Sequence, residues 1–263
     1  MRVSLLDPGR WLGAHLGLVL LFLYLPIAVL IALSFNDSGL PTAWTGFSTR
    51  WYESVVTDQK ILGSAANTII IGAISTIIAT AIGTLLALGL ERLTNNALLD
   101  GLVFVPGIIP DIVLAIALLS LYNLVFTGLL GLKLGLWSVI VAHVVFSITF
   151  VTAIVRTRLR HFDISIEEAS LDLGANEITT FRRITLPIIL PGVIAAALVA
   201  FTLSVDEFVV AFFTAGTTIT FPIQVYSMIR FGGTPEINAI ATVVVFVSFV
   251  LILASQRLNR EQV

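Results

Sequence analysis

Long stretches without a charged residue set the pattern of this chain. They cover residues 11–36, 61–90, 112–132, 134–155, 184–205, 208–229 and 237–256. Crossing a bilayer takes about 20 mostly apolar residues, so each stretch is a candidate membrane span. The stretch at 208–229 differs from the others. Its middle, from Thr214 to Pro222, is polar and β-branched and is broken by Gly216 and Pro222. Backbone of that kind suits a cavity wall better than a lipid-facing helix, so it reads as an extramembrane or re-entrant connection. Six spans remain.

Basic residues test that count, because cytoplasmic loops carry the excess of Lys and Arg. With six spans and an inner N-terminus, ten arginines fall inside: Arg2, Arg10, Arg92, Arg156, Arg158, Arg160, Arg182, Arg183, Arg257 and Arg260. Four residues fall outside, namely Arg50, Lys60, Lys133 and Arg230. Both termini are therefore expected in the cytoplasm. A seventh span would move Arg257 and Arg260 across and weaken the asymmetry. The first stretch has 26 uncharged residues and no small-residue cleavage site after it. It reads as an uncleaved anchor rather than a signal peptide. With no internal repeat or low-complexity linker, residues 1–263 are expected to form a single membrane domain.

Composition sharpens this picture. Only 11% of residues are charged, 57% are hydrophobic, and the mean hydropathy is +1.04. A soluble domain is about a quarter charged, so this outer surface must meet lipid. There is no cysteine, and the three histidines His15, His143 and His161 lack helical metal-ligand spacing. No metal and no nucleic-acid partner are expected. His143, inside the fourth span, reads as a neutral packing residue. The small residues Gly72, Ala73, Thr76, Ala79, Thr80, Gly83 and Ala87 predict close helix packing, against this chain or a second one.

The longest charged stretch, about residues 156–186, lies between the fourth and fifth spans on the cytoplasmic side. Residues 163–173 predict an amphipathic helix with Ile164, Leu171 and Ala175 on one face and acids on the other. Gly174 is expected to end it. A second short helix is expected from Glu177, with Arg182 and Arg183 near its end, favourable for its dipole. Pro187 is expected to open the next span, where its missing N–H is harmless. Physical reasoning leaves two readings open: a hairpin lying on the membrane, or a docking element for a cytoplasmic protein.

The residues Glu168-Ala169-Ser170, then Gly174, then Ile184, Leu186 and Pro187 resemble the EAA loop of ATP-binding-cassette importer permeases. Ser170 stands where that family usually has a second alanine. Ser34-Phe35-Asn36, Gly46 to Tyr52, Pro110-Asp111-Ile112, Ser204 to Glu207 and Gln224 to Met228 extend the likeness over nearly the whole chain, toward the polyamine branch and its C-type subunit. The resemblance implies an all-α membrane protein with six transmembrane helices of the type I importer permease fold. It implies that Glu168, Ala169, Ser170, Gly174, Leu186 and Pro187 couple the chain to an ATPase. The implied partners are a homologous permease, two ATPase subunits, an external substrate-binding protein and the lipid bilayer of the bacterial inner membrane.

A nucleotide-binding P-loop needs Lys followed by Ser or Thr. The two lysines, Lys60 and Lys133, precede Ile61 and Leu134, so ATP and Mg are expected on a separate ATPase. The chain itself is not expected to be an enzyme or to hold a cofactor. Intramembrane acids cost about 2.5–3.5 kcal/mol, so they usually face a cavity or a partner. Asp111, just after the disruptive Pro106 and Pro110, reads either that way or as an interfacial acid at a helix start. Asp206 and Glu207 read as a solvated helix end or as a pathway mouth attracting a cation. Polyamines are chains of ammonium groups, for which carboxylates and aromatic faces such as Tyr226, Trp51, Tyr122 and Phe208 suit. Trp51 and Tyr52 also fit an interfacial belt. Other small solutes carried by related permeases stay open, as does an ion-coupled carrier relaying protons through Asp111 and His143.

Overall fold

In the computed structural model, residues 8–40, 43–93, 96–232 and 235–260 are described. Arg2 lies outside the described residues, as do the side chains of Arg10, Arg257 and Arg260. The described residues form α1 (Pro8–Ser34), α2 (Arg50–Thr57), α3 (Gln59–Arg92), α4 (Ala97–Ile108), α5 (Asp111–Leu121) and α6 (Leu136–Leu159). They continue with α7 (Ser165–Asp172), α8 (Glu177–Thr180), α9 (Leu186–Asp206), α10 (Val209–Thr214), α11 (Phe221–Arg230) and α12 (Glu236–Arg260). Among them there is no β-strand, only an isolated bridge between Asn36 and Phe47.

Four helical stretches are long and apolar enough to cross a membrane, or five if α4 and the α5 region count as one broken span. The expected span at 112–132 begins earlier than its uncharged run, because α4 supplies a first half at 103° to the second. Two prolines explain the break. Pro106 lies within α4, while Pro110 is held extended, and the helix restarts at Asp111. The stretch 208–229 forms the short helices α10 and α11 around a turn with Gly216 at positive φ, in keeping with a broken connection. The expected last span falls in α12, whose described apolar part is the shorter Glu236–Val250.

The chain divides into two compact units, one holding the described residues up to Leu62 and those from Val225, the other Gly63–Gln224. In the first, α12 packs on α1 and α2. Asn36 organises the loop after α1: its side chain donates to Ala43 O at 2.5 Å and accepts from Thr45 N at 2.9 Å. Trp51 Nε1 donates to Asn36 O at 2.8 Å, and the Ser34 and Tyr52 hydroxyls meet at 2.6 Å. Trp51 and Tyr52 therefore tie α2 to this loop, a packing role that a belt of aromatics would not require.

In the second unit α6 is the central helix, with α4, α9 and α10 against it. Ala79 and Ala87 of α3, Val151 and Val155 of α6, and Ile189, Ala196 and Ala200 of α9 are all fully buried in one core. Glycine allows the closest approach. A Cβ on Gly83 would stand 2.7 Å from Val151 Cγ1, and one on Gly72 would stand 3.1 Å from the Phe201 ring. Gly72, Ala79, Gly83 and Ala87 thus face this chain's own helices. His143 is buried, with Nδ1 2.6 Å from Ser204 Oγ, which lies 3.1 Å from Ser75 Oγ. The packing reading of His143 holds.

Candidate functional site

Two places bring the sequence candidates together. The first is the hairpin of α7 and α8. Asp163 starts it by accepting from Ser165 N at 3.0 Å, and hydrogen bonds from Ser165 hold the Asp163 carboxyl below its ordinary range. At the far end Gly174 takes φ +88°, Gly174 N donates to Leu171 O at 2.9 Å, and Ala175 N donates to Ser170 O at 3.1 Å. These two bonds satisfy the last carbonyls of α7 in the left-handed glycine cap that the sequence predicts. Asn176 then caps α8 by accepting from Thr179 N at 2.8 Å. The hydroxyls of Ser170 and Thr180 meet at 2.9 Å and tie the two arms together.

The faces of this hairpin differ from the amphipathic expectation. Its buried residue in α7 is Glu167, whereas Ile164 and Leu171 are exposed. Glu167 turns inward because Arg92 donates to it at 2.6 Å and the Thr185 hydroxyl donates to it as well. Leu173 and Ile178 are left 90% and 70% exposed at the tip, beside exposed Glu168 and Ala169. The second arm does not end at Arg182 and Arg183. It runs through a π-helical turn, Phe181–Thr185, into α9, so Glu177–Asp206 is one helical stretch. Both arginines are exposed on that turn. Leu186 and exposed Pro187 follow inside the continuing helix, where the wider turn accommodates a residue with no N–H to give.

The second place is a convergence of carboxylates. Asp111 is exposed in the first turn of α5, and exposed Asp206 ends α9. Half-buried Glu207 accepts from Val210 N at 2.8 Å and so caps α10. Helices α5 and α10 pack through Leu114, Ala115, Leu118 and Val210. This packing brings Asp111 near Glu207, whose chain neighbour is Asp206. Asp111 stands at the start of the second half of its broken span, and Asp100, in the first turn of α4, binds Arg156 at 2.7 Å. The sequence alone assigned no partner to Asp111, because the break at Pro110 hides where the span begins.

Tyr122 is buried and donates to Ser138 O at 3.1 Å. Phe208 stacks near Phe212 at 5.5 Å. Tyr226 is 40% exposed on α11. Sequence reasoning missed the ion pairs. Arg156, 13% exposed, bridges Glu91 at 2.6 Å and Asp100 at 2.7 Å, and Arg92 meets Glu167. Their only signal in the sequence is charge at span ends, which also fits the orientation rule. No group of three metal-binding side chains occurs among the described residues.

Residues 79–260 match the protein family described as the binding-protein-dependent transport system inner membrane component. The chain is similar to the spermidine/putrescine transport system permease protein PotC of Escherichia coli (strain K12), at 39% identity over 97% of this chain and 96% of that one. It is also similar to the putrescine transport system permease protein PotI of the same strain, at 36% identity over 85% of this chain and 81% of that one. Among solved structures, a chain of a bacterial importer of the acidic polysaccharide alginate matches with a TM-score of 0.73 and 16% identity. It covers 96% of this chain and 94% of that one.

Proposed function

Because this chain belongs to the family of binding-protein-dependent transport system inner membrane components, we propose that it passes polyamines, spermidine or putrescine, through an ATP-driven importer. The observation that carries the substrate reading is the convergence of Asp111, Asp206 and Glu207, together with the similarity to permeases named for those amines. Three carboxylates around two helix starts repel one another and are relieved by a flexible cation of two or more ammonium groups. Selection among amines rests mainly with the external binding protein, and the permease acids assist release and passage. Tyr226 offers an aromatic face for an ammonium group.

The permease works as one membrane domain of six spans with both termini in the cytoplasm. It pairs with a homologous permease and two ATPase subunits, which hold ATP and Mg. Glu168, Ala169, Ser170 and Gly174 form the coupling contact, and Leu186 and Pro187 start the span that receives the motion. Closure of the ATPase pair on ATP pushes the hairpin and reorients the helices, exposing the acids to alternate sides. The exposed apolar tip at Leu173 and Ile178 supports this reading.

Uptake of labelled spermidine and putrescine into ATP-loaded proteoliposomes tests both halves. Uptake that needs ATP and is lost in Gly174→Asp supports the proposal, since a Cβ at that φ is strained and the cap is lost. Hydrolysis of ATP without entry of either amine overturns the substrate and leaves the importer.

A further inference from the structure

The hairpin is braced within itself, runs on into α9 through its second arm, and meets the end of α3 through side chains. Its glycine cap and the Ser170–Thr180 pair brace it internally. Behind it lies a cavity of about 320 Å³ lined by Arg92, Glu167, Leu171, Glu177, Thr180 and Thr185, among others. Across that space the side-chain hydrogen bonds converge on one group. The Glu167 carboxylate accepts from Arg92 at the end of α3 and from Thr185 in the π-turn that enters α9. Glu167 is 12% exposed and Arg92 28%, so the pair is only weakly screened by water.

The attachment continues inward. Glu91, next to Arg92 on the last turn of α3, binds Arg156 of α6 at 2.6 Å. Arg156 also grips Asp100 of α4 with two hydrogen bonds, at 2.7 Å and 3.2 Å. The end of α3 thus joins the hairpin on one side and α6 and α4 on the other. Beyond α4 lies the break at Pro110, followed by Asp111.

We propose that Glu167 and Arg92 are positioning residues for transport: their ion pair is the pivot through which a push on the hairpin turns α3 and the start of α9. This rests on reading the hairpin as the ATPase contact. A rigid lever over a cavity, continuous with α9 through the π-turn and tied to α3 by a buried ion pair, moves both helices together and does not deform in its place. Glu168 and the apolar tip then serve contact, and Glu167, one residue earlier, serves transmission.

The test uses the complete complex, with both permeases, the ATPase and the binding protein, in proteoliposomes. Three readouts are taken: ATPase retained on purification, basal ATP hydrolysis, and hydrolysis stimulated by the binding protein. None depends on which amine is carried. Glu167→Gln and Arg92→Gln are expected to keep the ATPase and basal hydrolysis and to lower stimulation about fivefold to tenfold. The swap Arg92→Glu with Glu167→Arg is expected to restore at least half of it. Wild-type stimulation in the single variants overturns the pivot, as does a swap no better than either single. Loss of the ATPase in the single variants also overturns it, in favour of a role in folding the hairpin alone. Leu173→Asp separates the two readings: a complex that still retains its ATPase overturns the docking role of the hairpin, and the pivot with it.

Discussion

Helices α1 and α6 are similar in length and apolarity, and they occupy opposite environments. Their most apolar windows have mean hydropathies of 2.8 and 2.3, yet none of the α1 window is buried and 61% of the α6 window is. Every side chain of α1 from Trp11 to Val29 is exposed, whereas α6 buries Ser138, His143, Ser147, Thr149 and Thr152. Hydropathy measures the transfer of a helix from water, and lipid tails are as apolar as a packed core. It therefore identifies both helices as spans and cannot separate them. What separates them is small polar residues, which find partners only against other helices. Thr149 donates to Val103 O at 2.9 Å and Thr152 to Gly83 O at 3.3 Å, so α6 is held by groups that α1 lacks between Trp11 and Val29.

The widest gap between the two helices is expected for glycine replacement at the α6 contact. Gly83→Leu places a side chain where Val151 already stands 2.7 Å from the first added carbon. Neither backbone can yield without opening the fully buried core of Ala79, Val151 and Ala196. A loss of about 3 kcal/mol is expected, as for strong overpacking, read as a fall in the thermal midpoint in detergent. A Gly83→Leu protein as stable as the wild type would mean that α3 and α6 are not in contact there.

Much of this was legible in the sequence, and the limits have physical causes. Charge-free runs located α1, α3, α6 and α9, and the charged stretch between them located the hairpin between Arg156 and Leu186, because bilayer thickness sets the length of an uncharged run and charge marks where it ends. The glycine cap at Gly174 was legible as well, since few residues other than glycine accept φ +88°. The start of the broken span was not, because α4 carries Asp100 and Pro106 and so does not read as half of a span. Asp111 and the consecutive pair Asp206 and Glu207 were picked out separately, because positions some 95 residues apart meet only through the packing of α5 on α10. The inward turn of Glu167 was missed for a related reason. Helical periodicity ranks residues by polarity, and an ion pair to Arg92 overrides that ranking.

A smaller difference is expected for the buried polar contact. Ser204→Ala removes the partner of His143 Nδ1 and of Ser75 Oγ at one stroke. His143 Nε2 is buried without a hydrogen-bond partner, so the imidazole loses its hold on α9. Interhelical hydrogen bonds in membranes are worth about 0.6–1.7 kcal/mol, and a loss of about 1 kcal/mol is expected by the same thermal measurement. Ser204→Thr keeps the hydroxyl and is the control. If Ser204→Ala matches the wild type, the three helices are held there by packing alone.

The smallest effect is expected on α1, and it makes the comparison most exacting. A Cβ on Gly17 meets nothing within 4 Å, and its helix has no buried window. Gly17→Ala in the purified chain is expected to lie within about 0.5 kcal/mol of the wild type, as exposed positions do. Its sign should be stabilising, since alanine gives up less backbone freedom than glycine on entering a helix. Repeating the measurement on the assembled complex turns this small number into a map. An unchanged value there leaves Gly17 facing lipid. A loss above about 1 kcal/mol in the complex alone would place a partner helix against α1, with glycine admitting it as Gly83 admits Val151.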